Sequence, residues 1–262
     1  MFHPLPVTPE PSHTPLPAQA PVRARRNGIT VAWARHADEV RQAQRLRYEV
    51  FADELGARLS TLLPGHDIDR FDDYCEHLLV RDAASQEVVG TYRLLTPAQA
   101  LRAGGTYSDG EFDLSRLDAL RPRMVELGRS CVHRDHRHGG VILALWSALA
   151  QFMARNELDT MIGCASIPMR GNAAAADVWH ALRRTHLADA RYRVTPHLPL
   201  PVGDGPVLPD AQPPALIRGY LRLGAKVLGP PAWDADFHTA DLAMMMRMAD
   251  LPPRYLRSTR GA

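Results

Sequence analysis

The segment at residues 124–155, MVELGRSCVHRDHRHGGVILALWSALAQFMAR, constrains the fold more than any other part of the chain. It starts with an alternation of apolar and polar residues, which is typical of a strand with one polar face. A short basic turn then closes on Gly139 and Gly140, and from Val141 onward apolar residues recur at helical spacing. The segment therefore predicts a strand, a turn and a helix. Free amide groups and the positive end of the helix dipole would meet at this turn and suit a pyrophosphate or phosphopantetheine.

Other phosphate-binding turns do not fit this segment. A Walker-type loop needs Gly-Lys-Ser/Thr and a dinucleotide fingerprint needs three spaced glycines, and the turn has neither. A plain, solvated basic turn between a strand and a helix stays open as an alternative when the turn is considered alone.

The composition predicts a soluble globular protein with one domain and extensions. Of the 262 residues, 45% are hydrophobic and 23% are charged, and the formal net charge is only +2. This charge does not indicate a bulk nucleic-acid binder, so we expect no nucleic-acid partner. No apolar run of about 18 residues could span a bilayer and no apolar signal segment is present, so we expect a cytoplasmic protein that is either soluble or bound peripherally to the inner face of an anionic membrane.

The cysteines and histidines do not indicate a metal site. The three cysteines are widely spaced without a CxxC pair, so neither a disulfide framework nor a zinc ribbon is expected, and we predict that all three are core residues. His133, His136 and His138 share one turn without a fourth ligand of suitable spacing, so we predict no metal.

Along the chain, prolines and arginines dominate residues 1–28, where no periodicity exists, and we expect a disordered leader. Residues 29–262 predict a single domain of mixed α/β layers. The predicted elements are a strand at 29–34, a helix capped by Asp38, an acidic linker at 56–74, a hairpin of 77–81 with 88–95, the strand–turn–helix, a strand at 160–166, a helix at 173–184, a proline-rich loop at 196–214, an amphipathic helix at 215–226 and a strand within 237–248.

This order resembles the GNAT acyltransferase superfamily. The resemblance implies an α+β fold with a central mixed, mostly antiparallel sheet flanked by helices, here with a C-terminal helix–strand extension. The turn matches the superfamily pattern R-G-x-G-x-G/A at Arg137 and Gly140, whereas His138 and Ile142 stand where small residues are usual. This departure is compatible with a carrier-protein thioester as acyl donor in place of free coenzyme A.

Shorter motifs narrow the resemblance. LRYEVF at 46–51, the pair Asp69 and Asp72, GTYRLL and ELGR are similar to acyl-homoserine-lactone synthases, while CEHLLV, ELGRSCV, GCAS and ALIRGYLRLGAKV are similar to the related L-ornithine N-acyltransferases. The match covers about residues 35–258. It implies transfer of a 3-hydroxyacyl chain from the 4′-phosphopantetheine of acyl carrier protein to the α-amine of L-ornithine, giving lyso-ornithine lipid, without a bound cofactor.

The resemblance and the chemistry together suggest roles for individual residues. An amine attacks a thioester only as the free base, so the site needs a proton acceptor. Glu126 is the predicted base, acting directly or through a water, and by resemblance Arg93 and Arg129 orient its carboxylate. The residues predicted to contact pantetheine or the carrier protein are Arg134, Arg137, Gly139, Gly140 and Val141.

The residues predicted to contact ornithine include both signs of charge and are Arg47, Phe51, Asp69 and Asp72. Asp69 and Asp72 either receive the side-chain ammonium or order the acidic linker, and the sequence leaves both roles open. Arg47, beside Phe51 on the first helix, binds the substrate carboxylate or anchors a loop, and these two roles also stay open.

Two other functional classes remain as alternatives. One is an acyltransferase for another amine, of the acyl-homoserine-lactone type or specific for glycine. The other is a noncatalytic lipid-binding protein, which would use the amphipathic segment 215–226 and the arginines at 254–260 on an anionic membrane.

Overall fold

The computed structural model of the protein describes residues 28–169, 173–203 and 212–251. Apart from Gly28, the predicted leader lies outside the described residues, as do the arginines at 254–260 and part of the predicted proline-rich loop.

A mixed sheet forms the centre of the fold. The strands of the described residues are β1 (Ile29–Trp33), β2 (Glu76–Asp82), β3 (Val88–Leu95), β4 (Phe112–Asp113), β5 (Met124–Val132), β6 (Thr160–Pro168), β7 (Thr195–Pro196), β8 (Lys226–Val227), β9 (Ala232–Asp234) and β10 (Thr239–Arg247). The strand order in this sheet is β1-β2-β3-β5-β6-β10-β8; β9 pairs with β10, and β4 and β7 form a small separate sheet. Neighbouring strands are antiparallel except β5 and β6, which are parallel. The predicted hairpin, β2 with β3, is confirmed.

Helices flank this sheet on both sides. Within the three described stretches, none of them combines the length and the apolar character needed to cross a bilayer. The helices are α1 (Ala37–Tyr48), which continues as a π-helical turn (Glu49–Glu54), α2 (Pro97–Ala103), α3 (Tyr107–Glu111), α4 (Gly140–Arg155), α5 (Ala173–Thr185) and α6 (Ala215–Arg222).

Two details of the helices correct the sequence analysis. The predicted cap Asp38 lies inside the first turn of α1, because the helix already begins at Ala37 with His36 at the N-cap. There the Asp38 carboxylate still interacts favourably with the helix dipole. The short helix α3 was not predicted, although Thr106 and Asp109 form a capping box at its start.

Helix α4 packs on one face of the sheet through buried residues such as Val141, Leu145 and Leu149. Helices α5 and α6 cover the same face farther along, and Ile217 of α6 is only 1% exposed. The apolar side of α6 is therefore turned toward the protein core, which removes α6 as the membrane-facing helix of the noncatalytic alternative.

Strands β5 and β6 separate near the middle of the sheet. Among the described residues their parallel pairing ends at Glu126 opposite Ile162. The strands are still very close one residue past this last pair, because a methyl group added at Gly163 would lie 2.3 Å from the carbonyl oxygen of Leu127. Farther along β5 the register with β3 shifts, and Arg129 adopts a left-handed backbone conformation with φ of 52°. Such irregularities redirect side chains and are enriched next to functional sites.

Candidate active site

A cavity of about 680 Å³ opens where β5 and β6 separate. Successive side chains of a strand point to opposite faces of the sheet, and this cavity is lined from both faces. Its charged half contains Arg93, Tyr107, Glu126, Asp234 and Asp241, whereas its apolar half contains Tyr92, Leu127, Ala165, Leu216 and Tyr220.

Glu126 belongs to the charged half, next in the chain to Leu127 of the apolar half, and is 6% exposed. Its two carboxylate oxygens accept hydrogen bonds from the backbone N–H groups of Tyr107 and Ser108, each at 2.7 Å. Burial raises the pKa of the Glu126 carboxyl, and these hydrogen bonds offset only part of that effect. A buried carboxylate with a raised pKa, facing a cavity, has the properties of a proton acceptor.

Three arginines and three aspartates form a closed ring beside the charged half, which we call the arginine–aspartate ring. Each arginine bridges two aspartates, and each aspartate binds two arginines. The ion pairs join Arg47 to Asp67 (2.8 Å) and Asp72 (2.9 Å), Arg93 to Asp69 (2.6 Å) and Asp72 (3.0 Å), and Arg129 to Asp67 (3.1 Å) and Asp69 (3.0 Å).

The ring corrects the predicted orientation of Glu126 by arginines. Arg93 and Arg129 form their side-chain ion pairs with the ring aspartates, and the hydrogen bonds that hold Glu126 come from backbone amides. The two arginines still line the cavity. In addition, the Arg129 guanidinium lies 4.6 Å from the ring centre of Phe237, a cation–π contact that ties β5 to the segment before β10.

The ring also bears on the roles left open for Arg47, Asp69 and Asp72. The side chain of Arg47 is 0% exposed and its donors are occupied by aspartates, which corresponds to the loop-anchor role. Burial raises the pKa of Asp72, but the positive charges of Arg47 and Arg93 outweigh burial and hold that pKa well below its usual range. Asp69 and Asp72 thus order the acidic linker in this structure.

Phe51, predicted to contact substrate, lines the cavity from the π-helical turn after α1. Its ring meets the ring of Phe237 edge-on, with centroids 5.7 Å apart. The pair forms an aromatic wall near Arg129.

Two buried carboxylates of the charged half were missed by the sequence analysis. Asp234 accepts a hydrogen bond from the Tyr107 hydroxyl at 2.9 Å, and Asp241 accepts one from the Thr239 hydroxyl at 2.7 Å. Neither forms an ion pair with a lysine or arginine of the described residues. Burial and the nearby charge of Asp234 raise the pKa of Asp241 to about 6. The only signal in the sequence was the run of aspartates around the start of the last strand.

The cysteines only partly match the prediction of core positions. Cys131 is buried, but Cys75 and Cys164 line the cavity, and the Cys164 sulfur lies 3.5 Å from the Ser108 hydroxyl. Burial raises the pKa of Cys75 to about 12 and that of Cys164 well above its usual range. Both thiols are therefore protonated near neutral pH and are poor nucleophiles.

The predicted anion site lies at the start of α4. Gly139 has φ of 99°, a conformation that favours glycine, and α4 begins at Gly140 with Val141 in its first turn and no acidic residue there. Arg134 is exposed, whereas Arg137 is paired with Glu54, with 2.8 Å between Nη2 and Oε2. Arg137 thus connects the turn to the π-helical segment.

Comparison with known proteins agrees with this geometry. Residues 46–147 match the acetyltransferase (GNAT) domain family. An L-ornithine N(alpha)-acyltransferase of Brucella abortus (strain 2308) is 35% identical over 257 residues, which cover 90% of each chain. An enzyme of the same name from Rhodobacter capsulatus is 39% identical over 229 residues, covering 81% of this chain and 87% of the relative.

A solved structure shares the fold. It is the CoA-dependent acyl-homoserine lactone synthase BjaI with SAM and isopentyl-CoA, which has a TM-score of 0.52 and 18% sequence identity and covers 86% of this chain and 85% of its own. This likeness shows the GNAT fold alone, as predicted from the motifs. Together with the curated relatives, it establishes that the chain is an acyltransferase with the GNAT fold and belongs to the family of L-ornithine N(alpha)-acyltransferases.

Proposed function

We propose that this chain transfers a 3-hydroxyacyl chain from the 4′-phosphopantetheine thioester of acyl carrier protein to the α-amine of L-ornithine, giving lyso-ornithine lipid. The observation that carries the proposal is the buried carboxylate of Glu126, which lines the charged half of a cavity whose other half is apolar. The names of the curated relatives support L-ornithine as the acceptor.

In the proposed reaction Glu126 accepts a proton from the α-ammonium of ornithine, directly or through a water. The free amine attacks the thioester carbonyl carbon, a tetrahedral intermediate forms, and the carbon–sulfur bond breaks as the amide forms. The pantetheine sulfur leaves as a thiolate and takes up the second proton lost by the amine. The raised pKa of Glu126 supports this role, because proton transfer from an amine is easier to a base of higher pKa.

The charges of the cavity support a dibasic amino acid as acceptor. Asp234 and Asp241 face the cavity without a lysine or arginine partner among the described residues, and an ammonium of ornithine would neutralise them. Arg58 also lines the cavity, is exposed, and forms no ion pair with any described residue. We assign the ornithine carboxylate to Arg58 because Arg47 is buried within the ring.

The proposed donor enters between β5 and β6 from the start of α4, where backbone amides favour the phosphate of pantetheine. Acyl carrier proteins are acidic next to their prosthetic group, and the exposed Arg134 supports docking of such a surface. In this scheme Arg137 contributes positive charge beside the pantetheine phosphate and also forms an ion pair with Glu54.

The proposal includes a cytoplasmic location with peripheral contact to an anionic membrane. Leu55 and Leu62 are 48% and 103% exposed. Leu55 lines the cavity with Arg58, and Leu62 follows a few positions later in the same segment. Exposed leucines next to a cation suit the surface of an anionic bilayer. This contact would let an acylated product leave toward the membrane.

A reconstituted reaction tests the proposed function. The purified chain is mixed with 3-hydroxyacyl carrier protein and L-ornithine, and free thiol is measured together with the mass of the product. We expect thiol release at the rate of formation of an α-N-acylated ornithine. Glycine and SAM serve as competing amines and acyl coenzyme A as competing donor. The absence of an acylated product with any amine, or a preference for glycine, would contradict the proposal.

A further inference from the structure

Three hydroxyl groups form a cluster in the apolar half of the cavity, which we call the hydroxyl cluster. They belong to Tyr92 on β3, Ser130 on β5 and Tyr220 on α6, and all three residues line the cavity. The hydroxyls of Tyr92 and Tyr220 form a hydrogen bond with each other, and the Ser130 side chain lies close enough to lower the pKa of both phenols.

Placing hydroxyl groups in an apolar wall costs folding free energy, which points to a functional role for the cluster. Tyr92 is 3% exposed, and a buried hydroxyl without partners would cost more than the phenylalanine that could replace it. Burial raises the pKa of Tyr220 to about 12 and that of Tyr92 well above its usual range, so both phenols stay neutral. Each hydroxyl offers one donor and two acceptor positions, so the cluster has spare capacity for another hydroxyl.

The position of the cluster connects it to the acyl chain. Tyr92 and Tyr220 line the main cavity and also a smaller one of about 40 Å³, which Met161, Met244 and Met246 line as well. Methionine side chains adapt easily to an inserted chain. An acyl chain that starts at Glu126 and ends among these methionines passes the hydroxyl cluster on its way.

We infer that the hydroxyl cluster determines acyl specificity by selecting a chain that carries a hydroxyl near the thioester. The inference rests on the proposed function. The substrate hydroxyl would insert into the cluster and keep every buried hydroxyl paired. An acyl chain without this hydroxyl would form no hydrogen bond with the cluster and would bind less favourably. Sites built to bind a hydroxyl discriminate against analogues that lack it.

The test compares two donors on the full-length protein. The kcat/KM for 3-hydroxytetradecanoyl carrier protein is divided by that for tetradecanoyl carrier protein, with L-ornithine as acceptor. We expect Tyr92→Phe, Tyr220→Phe and Ser130→Ala each to lower this ratio by roughly three- to tenfold, the equivalent of one neutral hydrogen bond. Tyr74→Phe, which changes a half-buried tyrosine outside both cavities, is the matched control and should leave the ratio unchanged.

A donor series on the unchanged protein keeps the inference testable if a variant fails to fold. A hydroxyl on the third carbon should raise kcat/KM over the plain chain, while a hydroxyl near the far end of the chain should not. The inference is overturned if the ratio is the same in all variants, if kcat/KM for both donors falls by the same factor, or if the unchanged protein has the same kcat/KM for both donors. Failure of the proposed function looks different, since no acylated ornithine would form with either donor.

Discussion

Removal of Arg47 is the perturbation for which the structure gives the clearest magnitude. Its side chain is 0% exposed and donates to the carboxylates of Asp67 and Asp72. The change Arg47→Met keeps an unbranched side chain but removes the charge and every donor. Each of these two buried carboxylates then keeps only one arginine of the ring.

Breaking a buried ion-pair network by removing one partner costs about 3–5 kcal/mol, because a charge is left uncompensated. For a domain of this size a loss of that order lowers the melting temperature by roughly 6–20 °C. The free energy of unfolding of Arg47→Lys should lie between those of the wild type and Arg47→Met, because lysine keeps the charge but has a single nitrogen for two aspartates.

Urea denaturation at neutral pH, analysed by linear extrapolation, measures the free energy of unfolding of each variant. Arg41→Met is the control, because Arg41 is exposed, lies earlier on the same helix and forms no ion pair with the ring aspartates, so it should change this free energy by less than about 0.5 kcal/mol. The ring lowers the pKa of Asp69 and Asp72 in the folded state, so its stabilisation is present above the unfolded value of about 3.9 and declines as pH falls below it. The difference between wild type and Arg47→Met should therefore shrink below about pH 4. Equal stability of the Arg47 and Arg41 variants at neutral pH would refute the reasoning.

Three further predictions concern strand packing, the cavity and docking of the acyl donor. Gly163→Ala should destabilise the protein by roughly 1–3 kcal/mol, because its new methyl group would meet the Leu127 carbonyl, whereas Gly128→Ala, which has open space, should cost less in the same denaturation assay. Asp241→Asn should raise KM for ornithine. In the wild type this KM should fall from about pH 5 to pH 7 as Asp241, with a pKa of about 6, becomes charged, and a variant that keeps this pH dependence would contradict the assignment. Arg134→Ala should raise KM for acyl carrier protein and flatten its salt dependence without changing KM for ornithine, because exposed charges act on the encounter and are screened over about 8 Å.

Local patterns predicted the central part of the fold. Within residues 124–155 the period of the apolar residues changes from that of a strand to that of a helix across two glycines, and the structure has β5, the turn and α4 at these positions. The hairpin of β2 and β3 followed from the same kind of pattern. Because Glu126 belongs to this segment, its place in a strand was also predictable.

The electrostatic partners were not predictable, since they depend on contacts between distant parts of the chain. Arg129 and Asp67 are 62 positions apart, and their pairing requires the acidic linker to fold over β5. The donors to Glu126 come from Tyr107 and Ser108, whose segment shows only a capping-box pattern in the sequence. The family resemblance implied arginine partners for Glu126, while the fold supplies backbone amides.

The change Glu126→Gln tests the central claim most directly. Glutamine keeps the size of the side chain and can still accept a hydrogen bond from Tyr107 or Ser108, but it cannot take a proton from the amine. We expect kcat/KM for L-ornithine, measured with saturating 3-hydroxyacyl carrier protein, to fall by about 10²–10⁴ while the thermal transition stays cooperative. A folded Glu126→Gln protein that retains wild-type kcat/KM would contradict the role of Glu126 as the base.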